Sequence, residues 1–180
     1  HQIINLAAAT GLLGEEDAAD ELVREAKRRA PDDEDVRYQY AHVLRRNKRS
    51  DEALAELGAA VDSAPRRRQL VWAQIKAQDG GAANFATARD LLVANIGRLN
   101  DESPVLQEDW YQTLVKLQVL LDSFDEAERL MQSREGQQLL TPLCRGTWLA
   151  EISRRRLDAE SAIQLARSAL AEASPDADPG

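Results

Sequence analysis

The sequence predicts an all-α fold made of helix pairs in tandem. Three observations carry that expectation. Apolar residues recur at three- and four-residue spacing along most of the chain, the mark of amphipathic helices. The composition is 43% hydrophobic but only 4% aromatic, and much of it is alanine, which suits backbones that approach closely. The pattern also repeats. Ala7, Ala19, Val23, Ala26 and Pro31 return as Ala41, Ala53, Leu57, Ala60 and Pro65, each 34 residues later.

The first unit covers about residues 1–31. Ile3, Leu6, Ala7 and Thr10 make its first stripe, and Gly11 and Gly14 loosen the turn. Glu15, Glu16 and Asp17 open the second helix, where acids favour the dipole. Lys27, Arg28 and Arg29 close it and Pro31 stops it. The second unit, about 32–65, is the most regular. Tyr40, Ala41 and Leu44 share one face of its first helix; Ser50 is the expected N-cap of the second. Ala53, Leu57, Ala60 and Val61 form the second stripe, which ends at Pro65. Helices this short are marginal alone, so each pair must bury its stripes on a neighbour.

The third unit, about 66–103, is degenerate. Leu70, Val71, Trp72, Ala73 and Ile75 form its first helix, and a long turn over Ala77–Asn84 leads to a helix capped by Asn84. Ala88, Leu91, Leu92 and Ile96 give the second stripe. Ser103-Pro104 reads as an N-cap and first helical residue of the fourth unit, about 104–138. Trp110, Leu114, Val115, Leu117 and Leu121 belong to its first helix, and Ser123-Phe124-Asp125-Glu126 fits a capping box. Ala127, Leu130 and Met131 follow, with Gly136 as the expected C-cap in a polar link. The fifth unit, 141–173, starts at Thr141-Pro142 and carries Trp148, Leu149, Ala150 and Ile152. Asp158 is expected to cap its last helix, striped by Ala162, Leu165, Ala166, Ala169 and Leu170. Residues 174–180 read as a disordered tail. The chain begins at His1-Gln2 without methionine and lacks a polar capping helix after the fifth unit, so it is read as a fragment of a larger protein.

This pattern resembles the tetratricopeptide repeat (TPR), a helix-turn-helix unit of 34 residues. The residues that carry the resemblance are Ala41, Ala53, Leu57 and Pro65 with their counterparts in the first unit. Arg37, Ala41 and Leu44 stand where the family often has tryptophan, glycine and tyrosine. The resemblance implies a right-handed α-solenoid of antiparallel helix pairs, one array over 1–173. It implies a protein–protein interaction scaffold that binds a peptide or partner domain in the concave groove of the superhelix. Two alternatives stay open: a self-assembly module, or a regulatory helical domain attached to an enzyme outside this fragment.

The residues carry no sign of catalysis. There is no phosphate-cradling glycine loop, no pair of histidines at metal spacing and no Cys/His cluster, so no cofactor or metal is expected. Carboxylates gather at helix starts, where the dipole explains them. Arg66–Arg68 and Arg154–Arg156 could hold phosphate or acidic peptides, but helix C-terminal ends or solvated turns account for them. Cys144 is read as a small packed residue. The net charge of −8 argues against nucleic acid or an anionic membrane as partner. No run of about 18 apolar residues is present to span a bilayer. One cysteine permits no internal disulfide and leaves the compartment open between cytoplasm, the reading preferred, and periplasm.

The resemblance places the groove on the outward faces of the first helices. Those residues are Tyr38, His42 and Arg45 in the second unit and Arg67 and Gln74 in the third. Asp109, Gln112 and Lys116 follow in the fourth, and Thr147, Glu151 and Arg154 in the fifth. Solvation of a helix face explains each of them singly as well. The lining is polar with a basic bias, which would suit an acidic or C-terminal carboxylate ligand. Ile4 and Ala8 occupy positions where chaperone-binding members carry polar donors, so that mode of tail capture is not implied. Trp72 and Trp148 are read as core residues; Trp110, beside Glu108-Asp109, fits core or interface equally.

Overall fold

The computed structural model describes residues 3, 6, 7, 10, 14–58, 64–156 and 159–173, and those residues are all-α, with no strand among them. Expectations at Ile4, Ala8, Gly11, Ala60, Val61, Asp158 and 174–180 lie outside them, as does the side chain of Ala162. Two compact units result, residues 1–79 and 80–180.

In the first unit Ile3, Leu6, Ala7 and Thr10 are helical, followed by α1 (Glu16–Arg29), α2 (Glu34–Arg46), α3 (Ser50–Leu57) and α4 (Arg66–Asp79). Consecutive helices pack on one another, and α4 touches both α3 and α2. The described apolar positions that repeat at 34 residues are buried, Ala7, Ala19, Val23 and Ala26, then Ala41, Ala53 and Leu57, while Pro31 and Pro65 are exposed. Ala41, Leu44, Ala53, Leu57, Val71 and Ile75 make one core cluster, flanked by Tyr38, Tyr40, Leu54 and Trp72. Ala7, Val23 and Val43 make another, against Leu22 and Tyr40. Small residues at the helix crossings let the larger Leu44, Leu57 and Ile75 leave water, each worth about 1.5–3 kcal/mol. Polar contacts tie the same helices. Asp20 of α1 pairs with Arg46 and accepts from Asn47 at 3.2 Å, and Lys27 of α1 reaches Glu56 of α3 at 2.7 Å.

The second unit comprises α5 (Ala82–Asn95), a 3-10 turn (Ile96–Arg98), α6 (Pro104–Leu120), α7 (Phe124–Gln132), α8 (Arg134–Leu139), α9 (Pro142–Arg155) and α10 (Ala159–Ala173). Helix α6 is its centre, packed against α5, α7, α8 and α9. Leu114, Val115, Leu117 and Val119 of α6 are buried, with Ala88, Leu92, Ala127, Met131, Leu140 and Ile152 around them. Trp110 is fully buried, and its indole N–H donates to Leu92 O at 3.2 Å. That places Trp110 in the core. Helices α9 and α10 pack so closely that a Cβ on Gly146 would stand 2.0 Å from Ala169 Cβ.

Two kinds of link recur among the described helices. In the tight kind, Gly14, Lys48 and Asp122 take φ of 82°, 59° and 54°. The next residue, Glu15, Arg49 or Ser123, has ψ of 63°, 60° and 60°. Its amide donates back five residues, to Thr10, Leu44 or Gln118 O, at 3.2, 2.9 and 2.9 Å. This left-handed turn satisfies carbonyls at the end of the preceding helix. In the extended kind, Asp33, Ser103 and Thr141 have ψ of 125°, 147° and 153° and accept from Val36, Leu106 and Cys144 amides. Those are side-chain N-caps.

Five local expectations are corrected. Ser50 is the first residue of α3, not its cap, and Ser123 makes no side-chain cap bond, because ψ near 60° turns the side chain away from the amides it would cap. The turn expected over Ala77–Asn84 is only Gly80-Gly81. Their φ values of 79° and 85° favour glycine, and Asn84 lies within α5, donating to Gly80 O at 2.9 Å. Gly136 sits inside α8 rather than capping a helix, in space a Cβ would share with Leu130 O.

Candidate functional site

The expected groove residues divide between the two units. In the first, Tyr38, His42 and Arg45 lie on α2 and Arg67 and Gln74 on α4. Spacing of four places Tyr38 and His42 on one face, and their rings meet edge to face with centroids 4.7 Å apart. The Arg67 guanidinium stands 5.2 Å from the Tyr38 ring centroid and pairs with Asp35. Asp35, Tyr38, His42 and Arg67 therefore form one connected surface across α2 and α4. The packing of α4 on α2 positions it, reinforced where Arg68 meets Glu34 at 2.7 Å. Farther along, the Gln78 amide of α4 donates to Arg45 O at 3.2 Å, and Lys76 lies 5.5 Å from the Trp72 ring centroid.

The electrostatics differ from a count of residue types. Burial, then the charges of Arg45 and Arg46, lower the His42 pKa to about 4, so its imidazole is neutral at pH 7. Arg67 is balanced by Asp35. The expected basic bias is correspondingly weakened. Arg66–Arg68 are also relocated: they occupy the first turn of α4, the end the dipole disfavours for cations. Glu34 and Asp35 at the start of α2 offset two of those charges, and Arg66 donates to Gln69 at 2.9 Å.

In the second unit Asp109, Gln112 and Lys116 lie on α6 and Thr147, Glu151 and Arg154 on α9. Asp109 and Lys116 are exposed, and Gln112 donates to Glu108 at 3.0 Å. Thr147 is turned to its own helix, donating to Leu143 O at 2.8 Å. Arg154 and Arg155 hold Glu151 at 2.7 and 2.8 Å, and their hydrogen bonds keep its carboxyl down to about 2. Arg155 and Arg156 continue to Asp122 and Asp125. The arginine run at the end of α9 is thus joined to α9 itself, to the turn before α7 through Asp122 and to α7 through Asp125. Cys144 is half-buried, and burial pushes its thiol upward, away from a reactive thiolate.

Three contributors had weak sequence signals. Asp35 was legible only as a helix-start acid, although it is the partner that fixes Arg67. Lys76 over Trp72 is an i, i+4 pair readable from spacing. Arg145 is different. It donates from α9 to Gln137 O at 3.2 Å and to Leu140 O, contacts that no local pattern announces. Among the described residues no group of three or more His, Cys, Asp or Glu side chains is placed to hold a metal. No helix there is long and apolar enough to cross a membrane. No family model, curated protein or solved structure matches the chain.

Proposed function

We propose that this chain is a protein–protein interaction scaffold of the TPR kind, a right-handed superhelix of helix pairs that holds a partner on the outward faces of its first helices. The observation that carries the reading is the joined Tyr38–His42–Arg67 surface across α2 and α4. An aromatic edge, a neutral imidazole and a guanidinium, all partly exposed and fixed by helix packing, are contact chemistry rather than acid–base machinery. The 34-residue burial pattern supports the repeat beneath it. Because Arg67 and Arg154 are already paired, hydrogen bonding and ring contact dominate over long-range attraction to acids. The test replaces Tyr38, Arg45 and Lys116 together with alanine and compares affinity capture by intact and substituted protein, read by mass spectrometry. Partners that bind the intact chain should vanish from the substituted one while its circular dichroism stays unchanged. An identical partner set would overturn the reading.

Self-assembly is the second reading. It is favoured by Ile163 and Leu170 of α10, seven residues apart on one helix face and 56% and 60% exposed. It requires a mass in light scattering that rises with concentration. A constant monomer mass would remove it.

A further inference from the structure

A second surface lies on the opposite side of α9 from Thr147, Glu151 and Arg154. There Pro142, Arg145, Gly146 and Leu149 of α9 face Leu165, Ser168 and Ala169 of α10 across a half-open cavity of about 160 Å³. Its floor is the close approach of Gly146 to Ala169, which leaves no side chain between the helices at that level. Leu149 and Leu165 wall it.

Arg145 gives this cavity its charge. Arg154, Arg155 and Arg156 farther along the chain each hold a carboxylate. Arg145 instead donates to the carbonyls of Gln137 and Leu140 and makes no ion pair among the described residues. Both of those bonds come from one terminal nitrogen, Nη1. The guanidinium is thus fixed in place, half-buried, and keeps donors for a planar anion. Apolar walls beside an oriented, uncompensated cation select a ligand that carries an aliphatic group and a carboxylate close together.

We propose that this groove binds the C-terminal residue of a partner polypeptide, with the terminal carboxylate on Arg145 and an aliphatic side chain between Leu149 and Leu165. The site goes beyond the scaffold reading above. It uses the cleft inside a helix pair rather than the outward faces of first helices, so either can fail alone.

The probe is a hexapeptide, Gly-Ser-Gly-Ser-Ala-Leu, titrated into the full chain by calorimetry as the free acid and as the C-terminal amide. The free acid should bind, and amidation should weaken it about tenfold or more, the size of one lost charge-assisted bond. Arg145→Gln should weaken the free acid by a similar factor. Ser168→Trp, which fills the cavity from an exposed position, should abolish binding while the melting temperature holds. Equal binding of acid and amide, or unchanged binding to both variants, would overturn the proposal. So would no binding of the free acid, equal binding of heptanoate, which would assign a free aliphatic acid, or binding only after residues 174–180 are removed, which would assign the chain's own end.

Discussion

Substituting Gly146 with alanine tests the packing of the second unit at its tightest point. The added Cβ would lie 2.0 Å from Ala169 Cβ and 3.3 Å from Ala169 Cα. Carbon atoms rest about 3.5–4.0 Å apart, so α9 and α10 must separate by well over an ångström. Neither obstacle can rotate away, since both belong to the body of α10. Overpacking of this kind costs about 1–3 kcal/mol, and the depth of overlap places it near the upper end. Helix propensity works the other way, because alanine is favoured over glycine inside α9 by about 1 kcal/mol. The net expectation is a loss of about 2 kcal/mol, or about 4–8 °C in melting temperature for a chain this long. Ala169→Gly alone should cost about 1–2 kcal/mol through propensity and a lost methyl contact. Combined, the two changes return a methyl to the same space and exchange one helix glycine for another. The double variant should therefore fall within about 0.5 kcal/mol of the parent, a coupling of about 3 kcal/mol. Tryptophan fluorescence in a Trp72→Phe background reports on the second unit through Trp110 and Trp148, and urea titration then gives the four free energies. Additive effects, or a stabilising Gly146→Ala, would refute the close crossing.

Three further outcomes follow from local features. His42 has a folded pKa of about 4 against about 6.5 unfolded, so the unfolded state takes a proton that the folded state refuses. Stability should fall as pH drops from about 6.5 to about 4, by at most about 3 kcal/mol, and His42→Gln should flatten that part of the profile; denaturant titrations with the same pH slope in both proteins would contradict the burial. Lys48→Gly should stabilise by about 0.5–1 kcal/mol by relieving a left-handed residue, and Asp122→Gly by less, since Asp122 also meets Arg155 at 3.2 Å; thermal melts that rank them the other way would sink the explanation. Gln118 is buried with its Oε1 unpartnered among the described residues, at the position where the second repeat carries Leu44, so Gln118→Leu should stabilise by about 1–2 kcal/mol, read as a higher urea midpoint at unchanged slope, and a lower midpoint would count against it.

The residues that made the fold legible are those whose burial is dictated by helix geometry. Ala41, Ala53 and Leu57 read as core because their spacing leaves them no other face, and they are core. Ser103 and Thr141 read as caps because a hydroxyl before proline meets the extended backbone that capping needs. Ser50 and Ser123 carry the same hydroxyl but fail, because a left-handed residue two or one positions earlier sets the chain on a different path into the helix. Residue type does not mark Lys48 for that conformation and marks Asp122 only weakly, aspartate being one of the few side chains that tolerate it; their register against Gly14 does more. At the candidate site the sequence shows which residues share α2, but not that Asp35 of α2 neutralises Arg67 of α4. That pairing spans 32 residues and depends on how the two helices pack. The Arg145 groove was hidden for the same reason.

The alternation of tight and extended links also says where the chain can be cut. A turn that closes on a backbone bond five residues back has no slack. Residues added between Asn47 and Arg49, or between Leu121 and Ser123, would tear the two helices of a pair apart. Among the described residues a capped extended link is crossed by no such closing bond: its cap lies within the helix it starts, and what reaches back is one long backbone bond, Asp33 N to Ala30 O at 3.3 Å, or a side chain, Gln107 to Glu102 O and Arg145 to Leu140 O. Spacers, new termini or whole inserted modules therefore belong before Asp33, Ser103 and Thr141, and the helix pair is the natural cassette for rebuilding this protein.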